Sequence, residues 1–224
     1  MELLAHRGMW TTRDQRNTPA ALADAFAHGW GVETDIRDLA GRIAISHDGP
    51  LADHSYFLED LLGDWRRHGT PGRLALNVKA DGLQDAVHAA LASQLTPAEV
   101  ARCFVFDASV PDERMWLRAG VVPTFVRHSE LEPMPTASPH YALAVGVWLD
   151  AFEGEWWDAA VVRAHLDQGL LVAVVSPELH GRDHRACWQM LVDDGLWQTP
   201  GVLLCTDLPA AAQELDGETD PSGG

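Results

Sequence analysis

The chain has 224 residues, 46% of them hydrophobic and 22% charged, and a formal net charge of −17. That supplies enough apolar surface for one well-buried core and excludes general disorder. A surface this acidic repels nucleic acid and anionic lipid, so any anionic ligand must be drawn in by positive charge gathered at one spot.

In chain order, eight short apolar runs predict strands at Leu3–His6, Val32–Ile36, Leu74–Val78, Cys103–Phe106, Val121–Phe125, Ala144–Leu149, Leu170–Val175 and Val202–Cys205. Several are continuous rather than alternating, as parallel strands buried on both faces require. Helices are predicted between them at Thr18–His28, Tyr56–His68, Leu83–Gln94, Pro111–Ala119, Trp156–Gln168, His184–Asp194 and Pro209–Leu215. Asn17 is a candidate N-cap for the first, with Pro19 in its first turn. The segment Arg42–His47 reads as an extra extended stretch after a turn at Ala40-Gly41, and the Pro- and Ser-rich connection Val126–Tyr141 carries no helix. Eight strands with helical crossovers predict an α/β fold, a single-domain (β/α)8 TIM barrel over residues 1–215. Residues 216–224 read as a disordered acidic tail.

The N-terminal segment lacks the basic start, apolar core and cleavage site of a signal peptide, and no apolar run is long enough to span a membrane. Cys103, Cys187 and Cys205 are odd in number and lack metal-ligand spacing, so buried free thiols and a cytoplasmic location are expected.

In such a barrel the active site lies at the C-terminal ends of the strands. His6-Arg7, Glu33, Asp35, Lys79, Asp107, Asp150, Ser176, Glu178 and Thr206-Asp207 all fall there. Glu33 and Asp35 are two apart and share one side of their strand. Buried together they need either a hard cation such as Mg2+ or Ca2+ or an arginine partner. His6 and His47 end extended segments and could serve as general acid and base. Lys79 is the single lysine against fifteen arginines. Trp148 alternates with Asp150, so both can face the barrel mouth. Ser176 to Arg182 offers a carboxylate, an imidazole and a guanidinium in one rim loop.

His6-Arg7-Gly8, Asn17-Thr18, Glu33-Thr34-Asp35, Gly41 and His47-Asp48 together resemble the N-terminal signature of the glycerophosphodiester phosphodiesterase family. Thr206-Asp207-Leu208-Pro209 resembles that family's last-strand Thr-Asp-x-Pro. The resemblance implies a (β/α)8 barrel with one divalent cation. It makes His6 and His47 the acid–base pair, Glu33 and Asp35 metal ligands, and Arg7 and Lys79 phosphate contacts. The family's Glu-x-Lys is here Asn77-Val78-Lys79, so Asn77 takes a ligand position without bringing negative charge, and Asp107 or Asp150 is a candidate for the missing carboxylate. The activity expected is metal-dependent cleavage of a small phosphodiester, with no nucleic-acid partner. The alternatives are a lyase or transferase on an activated phosphoester, or an altered barrel that binds a phosphorylated ligand or partner.

Overall fold

The computed structural model describes residues 1–133 and 140–219. Its strands are β1 (Glu2–His6), β2 (Gly31–Leu39), β3 (Arg42–Ile45), β4 (Leu74–Val78), β5 (Cys103–Phe106), β6 (Phe125–His128), β7 (Gly146–Leu149), β8 (Leu171–Val175) and β9 (Val202–Thr206). Its helices are α1 (Pro19–Ala27), α2 (Leu58–Arg67), α3 (Gln84–Gln94), α4 (Pro97–Val100), α5 (Val110–Ala119), α6 (Ala159–Leu166), α7 (Arg185–Asp193) and α8 (Pro209–Thr219). Around the ring the strand order is β5-β4-β2-β1-β9-β8-β7-β6, all neighbours parallel, with β3 antiparallel to the outer half of β2. A parallel bridge between Val105 and Thr124 joins the two ends of that order. Eight parallel strands thus form a nearly closed (β/α)8 barrel, as the alternation of apolar runs and helices predicts.

Two apolar layers hold it. Inside the ring lie Leu4, Ala75, Phe104, Phe106, Phe125, Trp148, Ala173, Val175, Leu203 and Cys205. Small residues on β4 and β8 leave room for large ones, and Phe104 stacks on Phe125, and Phe106 on Trp148, at 3.8 Å each. Gly146 is part of that fit, since a Cβ there would sit 2.4 Å from the Phe125 ring. Between strands and helices runs the larger core, with Trp65, Trp116 and Trp197 fully buried.

The strand expected at Val121–Phe125 forms instead at Phe125–His128. Pro123 has no N–H to give a ladder, so the early part of that run contributes only its carbonyl, which accepts from Val105 N at 2.9 Å. Thr18, not Asn17, caps α1, its hydroxyl accepting from Ala21 N. Asn17 sits just outside, at φ +58. The predicted helix starts at Tyr56 and Trp156 move to Leu58 and Ala159, where Phe57 and Asp158 hold extended N-cap geometry. The short α4 has no counterpart among the sequence expectations. Helix α8 runs on through Thr219, so residues 216–219 of the expected tail continue a helix begun by the Ala-rich run 210–212, a strong helix former. Residues 134–139 of the predicted helix-free connection, and 220–224 of the tail, lie outside the described residues. Within 140–143, Tyr141–Leu143 forms a short 3-10 turn.

Cys103, Cys187 and Cys205 are buried and free. Burial pushes the first two thiols up to about 12 and the third well above its ordinary value. Among the described residues no helix is long and apolar enough to cross a membrane.

Candidate active site

His6 ends β1 opposite Glu33 on β2. Immediately after it the chain turns sharply: Arg7 has φ +59 and Gly8 has φ +87. The turn is locked on three sides, since Arg7 N donates to Glu33 O (2.8 Å), Asn17 N to Arg7 O (3.0 Å) and Met9 N to Ala21 O (2.8 Å). A Cβ on Gly8 would meet the Ala21 carbonyl at 2.6 Å, which is why glycine stands there. Of the five non-glycine residues at positive φ among the described residues, three (Arg7, Asn17 and Asp107) line the two cavities of this rim. Strain held in this way gathers where a site must be aimed.

Glu33 and Asp35 point the same way from β2, 1% and 0% exposed, and Asn77 on β4 pairs in register with Asp35. Asn77 Nδ2 donates to Glu33 Oε1 at 3.2 Å. Arg7 Nε lies 2.9 Å from Asp35 Oδ2, which also accepts from Asn17 Nδ2 at 2.8 Å. Asn17 Oδ1 in turn accepts from Thr34 Oγ1 at 2.7 Å. Both expectations for the carboxylates therefore meet in one place: Asp35 has its arginine, yet one oxygen each of Glu33 (Oε2), Asp35 (Oδ1) and Asn77 (Oδ1) is buried without a hydrogen-bond partner. Burial, then the charge of Asp35, holds the Glu33 carboxyl above its ordinary value, while His6, Arg7 and Lys79 pull it back. Two carboxylate oxygens and an amide oxygen on adjacent strands fit a hard divalent cation. Among the described residues no set of three or more His, Cys, Asp or Glu side chains is arranged to hold a metal.

Lys79 follows β4, its Nζ 2.9 Å from Asp107 Oδ2 and 3.7 Å from Asp35 Oδ1. Asp107 also pairs with Arg127, and Arg127 with Glu132. His6 Nδ1 is 2.6 Å from Asp207 Oδ1, and its other nitrogen, Nε2, is 3.8 Å from Glu33 Oε2. Asp207 also pairs with Arg16 (3.3 Å), whose guanidinium lies 3.9 Å over the Trp10 ring. Glu178, expected at the rim, instead braces this pair from behind: it accepts from Thr206 Oγ1, from Asp207 N and from Ser176 Oγ. Asp150, the other expected rim carboxylate, accepts from His180 Nε2 at 2.7 Å and from Ala151 N at 2.8 Å. Asp107 and Asp150 are thus already engaged by side chains of their own.

Two cavities open on this rim. The barrel mouth, about 240 Å³, is lined by His6, Arg7, Arg16, Glu33, Asn77, Asp107, Arg127, Trp148, Asp150, Phe152, Val175, Leu179 and His180. A wider neighbour, about 570 Å³, is lined by Arg7, Arg13, Arg16, Asn17, His47, Asp48, His54 and Tyr56 among others. Arg7 and Arg16 face both. His47, half-exposed, belongs to the wider cavity, with Nδ1 2.9 Å from Asp48 Oδ1. The structure therefore lines the mouth with His6, Glu33, Asn77, Asp107, Trp148 and Asp150, sets Asp35 and Lys79 against Arg7 and Asp107 beside it, and places His47 in the wider cavity. Sequence reasoning passed over Arg16 and Arg127. The signal for Arg127 was Pro123, which moves the strand far enough along to carry residue 127. Arg7, Arg13, Arg16, Arg127 and the lone lysine come together at this rim, interleaved with Glu33, Asp35, Asp107, Asp150 and Asp207.

No family model matches the chain, and no curated protein matches it. Among solved structures it resembles a protein from Galdieria sulphuraria provisionally assigned as a glycerophosphodiester phosphodiesterase, with a TM-score of 0.73, 15% identity and 96% of each chain covered. It also resembles a glycerophosphoryl diester phosphodiesterase from Parabacteroides distasonis, with a TM-score of 0.65 and 12% identity over 100% of this chain and 88% of that one. A Ca2+-dependent phosphatidylinositol-specific phospholipase C from Streptomyces antibioticus follows, with a TM-score of 0.59 and 12% identity over 94% and 96% of the two chains. At such identities the likeness is one of fold, and in fold the chain resembles glycerophosphodiester phosphodiesterases over nearly its whole length.

Proposed function

We propose that the protein is a metal-dependent phosphodiesterase acting on a small phosphodiester at the barrel mouth. The observation that carries this reading is the set of three buried, unpartnered oxygens on Glu33, Asp35 and Asn77, set between a carboxylate-backed imidazole and two cations. Those three residues would hold Mg2+ or Ca2+, and a cation there would supply positive charge beside the phosphate. Arg7 and Lys79 take the remaining phosphate charge. Asp207 holds His6 Nδ1–H, fixing the tautomer that leaves Nε2 free to remove a proton from the attacking hydroxyl. His47, which lines the wider cavity that shares Arg7 and Arg16 with the mouth, is the candidate acid for the leaving alkoxide. The acidic surface disfavours nucleic acid as partner, and buried free thiols fit a cytoplasmic enzyme.

The test is turnover of a panel of phosphodiesters with Mg2+, Ca2+ or Mn2+, using the parent chain, His6→Ala and Asp207→Asn. His6→Ala is expected to lower kcat by about 1000-fold or more, and Asp207→Asn by about 100-fold, each with an unchanged circular dichroism spectrum. Near-parental rates in both variants would dismiss the scheme.

A further inference from the structure

The wider cavity carries cationic charge that the proposed chemistry leaves unused. Between β1 and α1 the chain is held in a compact turn: Gln15 Oε1 accepts from Thr11 N (2.8 Å) and Thr12 N (3.1 Å), and Trp10 Nε1 donates to His6 O at 3.0 Å. Arg13, in the 3-10 turn Arg13–Gln15, and Arg16 just after it line this cavity together with Arg7. Arg7 and Arg16 have carboxylate partners in Asp35 and Asp207. Arg13 is exposed, and its side chain has no ion pair or hydrogen bond among the described residues. Arg16 Nε is buried without a hydrogen-bond partner. Burial lowers the Arg16 guanidinium from its ordinary value; Asp207 raises it, and the charges of Arg7 and Arg13 lower it again. The three guanidiniums are therefore near enough to repel one another. The carboxylates of the same wall do not supply the balance, since Asp48 pairs with His47 and Asp53 makes no ion pair with the arginines among the described residues.

Resting on the reading that a phosphodiester is cleaved at the mouth, we propose that Arg13 and Arg16 form a second anion site in the wider cavity, and that the substrate is a diester whose leaving alcohol bears a further negative group, a carboxylate or a phosphate monoester. His47, the candidate acid, lines the same cavity, which puts the leaving alcohol there in this scheme. Arg7 and Arg16 line both cavities, so Arg13 is the arginine particular to the wider one. At about 570 Å³ against about 240 Å³, that cavity has room for a group beyond the ester itself. A guanidinium fork matches the paired oxygens of a carboxylate or a phosphate. In a chain with 33 acidic and 16 basic residues, setting three arginines on one wall costs repulsion that a bound anion relieves. A solvated surface arginine would account for Arg13 alone. It would not account for a buried, unpaired Arg16 Nε on the same wall.

The experiment uses two pairs of diesters that differ by one negative group: glycerophosphoserine against glycerophosphoethanolamine, and glycerophosphoinositol with and without a phosphate monoester on its ring. Each is given to the parent, Arg13→Gln and Arg13→Lys, with Mg2+ or Ca2+ present. Arg16 is left intact because it also pairs with Asp207. The parent should favour the more charged member of at least one pair by about 10-fold or more in kcat/KM, through KM, and the pair with the larger preference tells carboxylate from phosphate. Arg13→Gln should cut that preference by about 5- to 20-fold while the less charged member stays within about 2-fold of the parent, and Arg13→Lys should keep most of it. Raising salt from about 0.05 M to about 0.5 M should erode the preference in the parent far more than in Arg13→Gln. Calorimetric binding of phosphoserine and of phosphoethanolamine to the same three proteins needs no turnover and should show the same order. No preference in the parent for either pair, or a preference undiminished in Arg13→Gln, overturns the second anion site. A parent that cleaves none of the four diesters refutes the cleavage reading instead, and the calorimetry alone then decides whether Arg13 holds an anion.

Discussion

Replacing Asn77 with Asp tests the cation site without changing its volume. In the chain alone, the Asn77 Nδ2–H donation to Glu33 Oε1 (3.2 Å) disappears, and a third carboxylate enters a place where Glu33 and Asp35 are 1% and 0% exposed. Losing that bond and burying an uncompensated charge costs about 3 kcal/mol. For a chain of this size that lowers Tm by about 6–12 °C. A hard divalent cation reverses the sign of the effect, because three carboxylates grip it better than two. At a concentration about 100 times the variant's Kd but still below the parent's, the cation returns about 2.7 kcal/mol to the variant and little to the parent. Thermal unfolding followed by circular dichroism, in EDTA and in Mg2+ or Ca2+, is the assay. Parent and Asn77→Asp should lie far apart in chelator and converge as cation is added. If the gap is the same in both conditions, or absent in EDTA, the three oxygens do not form a cation site.

Gly8→Ala should destabilise the protein by about 2–4 kcal/mol and depress turnover, because the added Cβ meets the Ala21 carbonyl at 2.6 Å and shifts Arg7. Gly41→Ala is the control: its φ is +84 but nothing lies within 4 Å, so it should cost only the left-handed backbone term of about 1–2 kcal/mol. His165, whose two ring nitrogens meet Tyr141 Oη (2.8 Å) and His128 Nδ1 (2.9 Å), is held down to about 4 by burial and then by His128. Since the unfolded chain takes up that proton near 6.5, the His165 contribution is complete above about 6.5 and is lost as pH falls toward 4. Relative to His165→Gln, the parent should lose stability between pH 7 and 5 in denaturant titrations, and a constant difference across that range would contradict this.

Much of the barrel was legible because each continuous apolar run has a helix-forming stretch beside it, and the alternation of Glu33 with Asp35 fixes both on one face of β2. The strand around Pro123 was misplaced because hydrophobicity alone does not register a missing N–H. Asn17 reads as a cap in sequence, yet at φ +58 its amide turns inward to bridge Thr34 and Asp35, a role that only the Arg7-Gly8 turn against α1 creates. His47 lies on a loop, where chain position carries no information about side-chain direction, so its separation from His6 by Arg7 and Arg16 could not be foreseen. The partners of Glu178 were not legible either: the 3-10 turn Pro177–His180 carries it toward Thr206 and Asp207, while His180 lines the mouth.

Around the barrel each neighbouring pair of strands shares a ladder of three to five registered residues, except β5 and β6, which meet through Val105 and Thr124. The cylinder therefore behaves like a clasp with one loose fastening. His6, Glu33, Asp35, Asn77 and Asp207 ride on the β1, β2, β4 and β9 arc, whereas Arg127, Trp148 and Asp150 ride on β6 and β7 across the gap. Local opening starts where backbone pairing is thinnest. Amide hydrogen exchange is therefore expected to be faster along the β5–β6 junction than along the arc that carries His6, Glu33, Asp35 and Asn77.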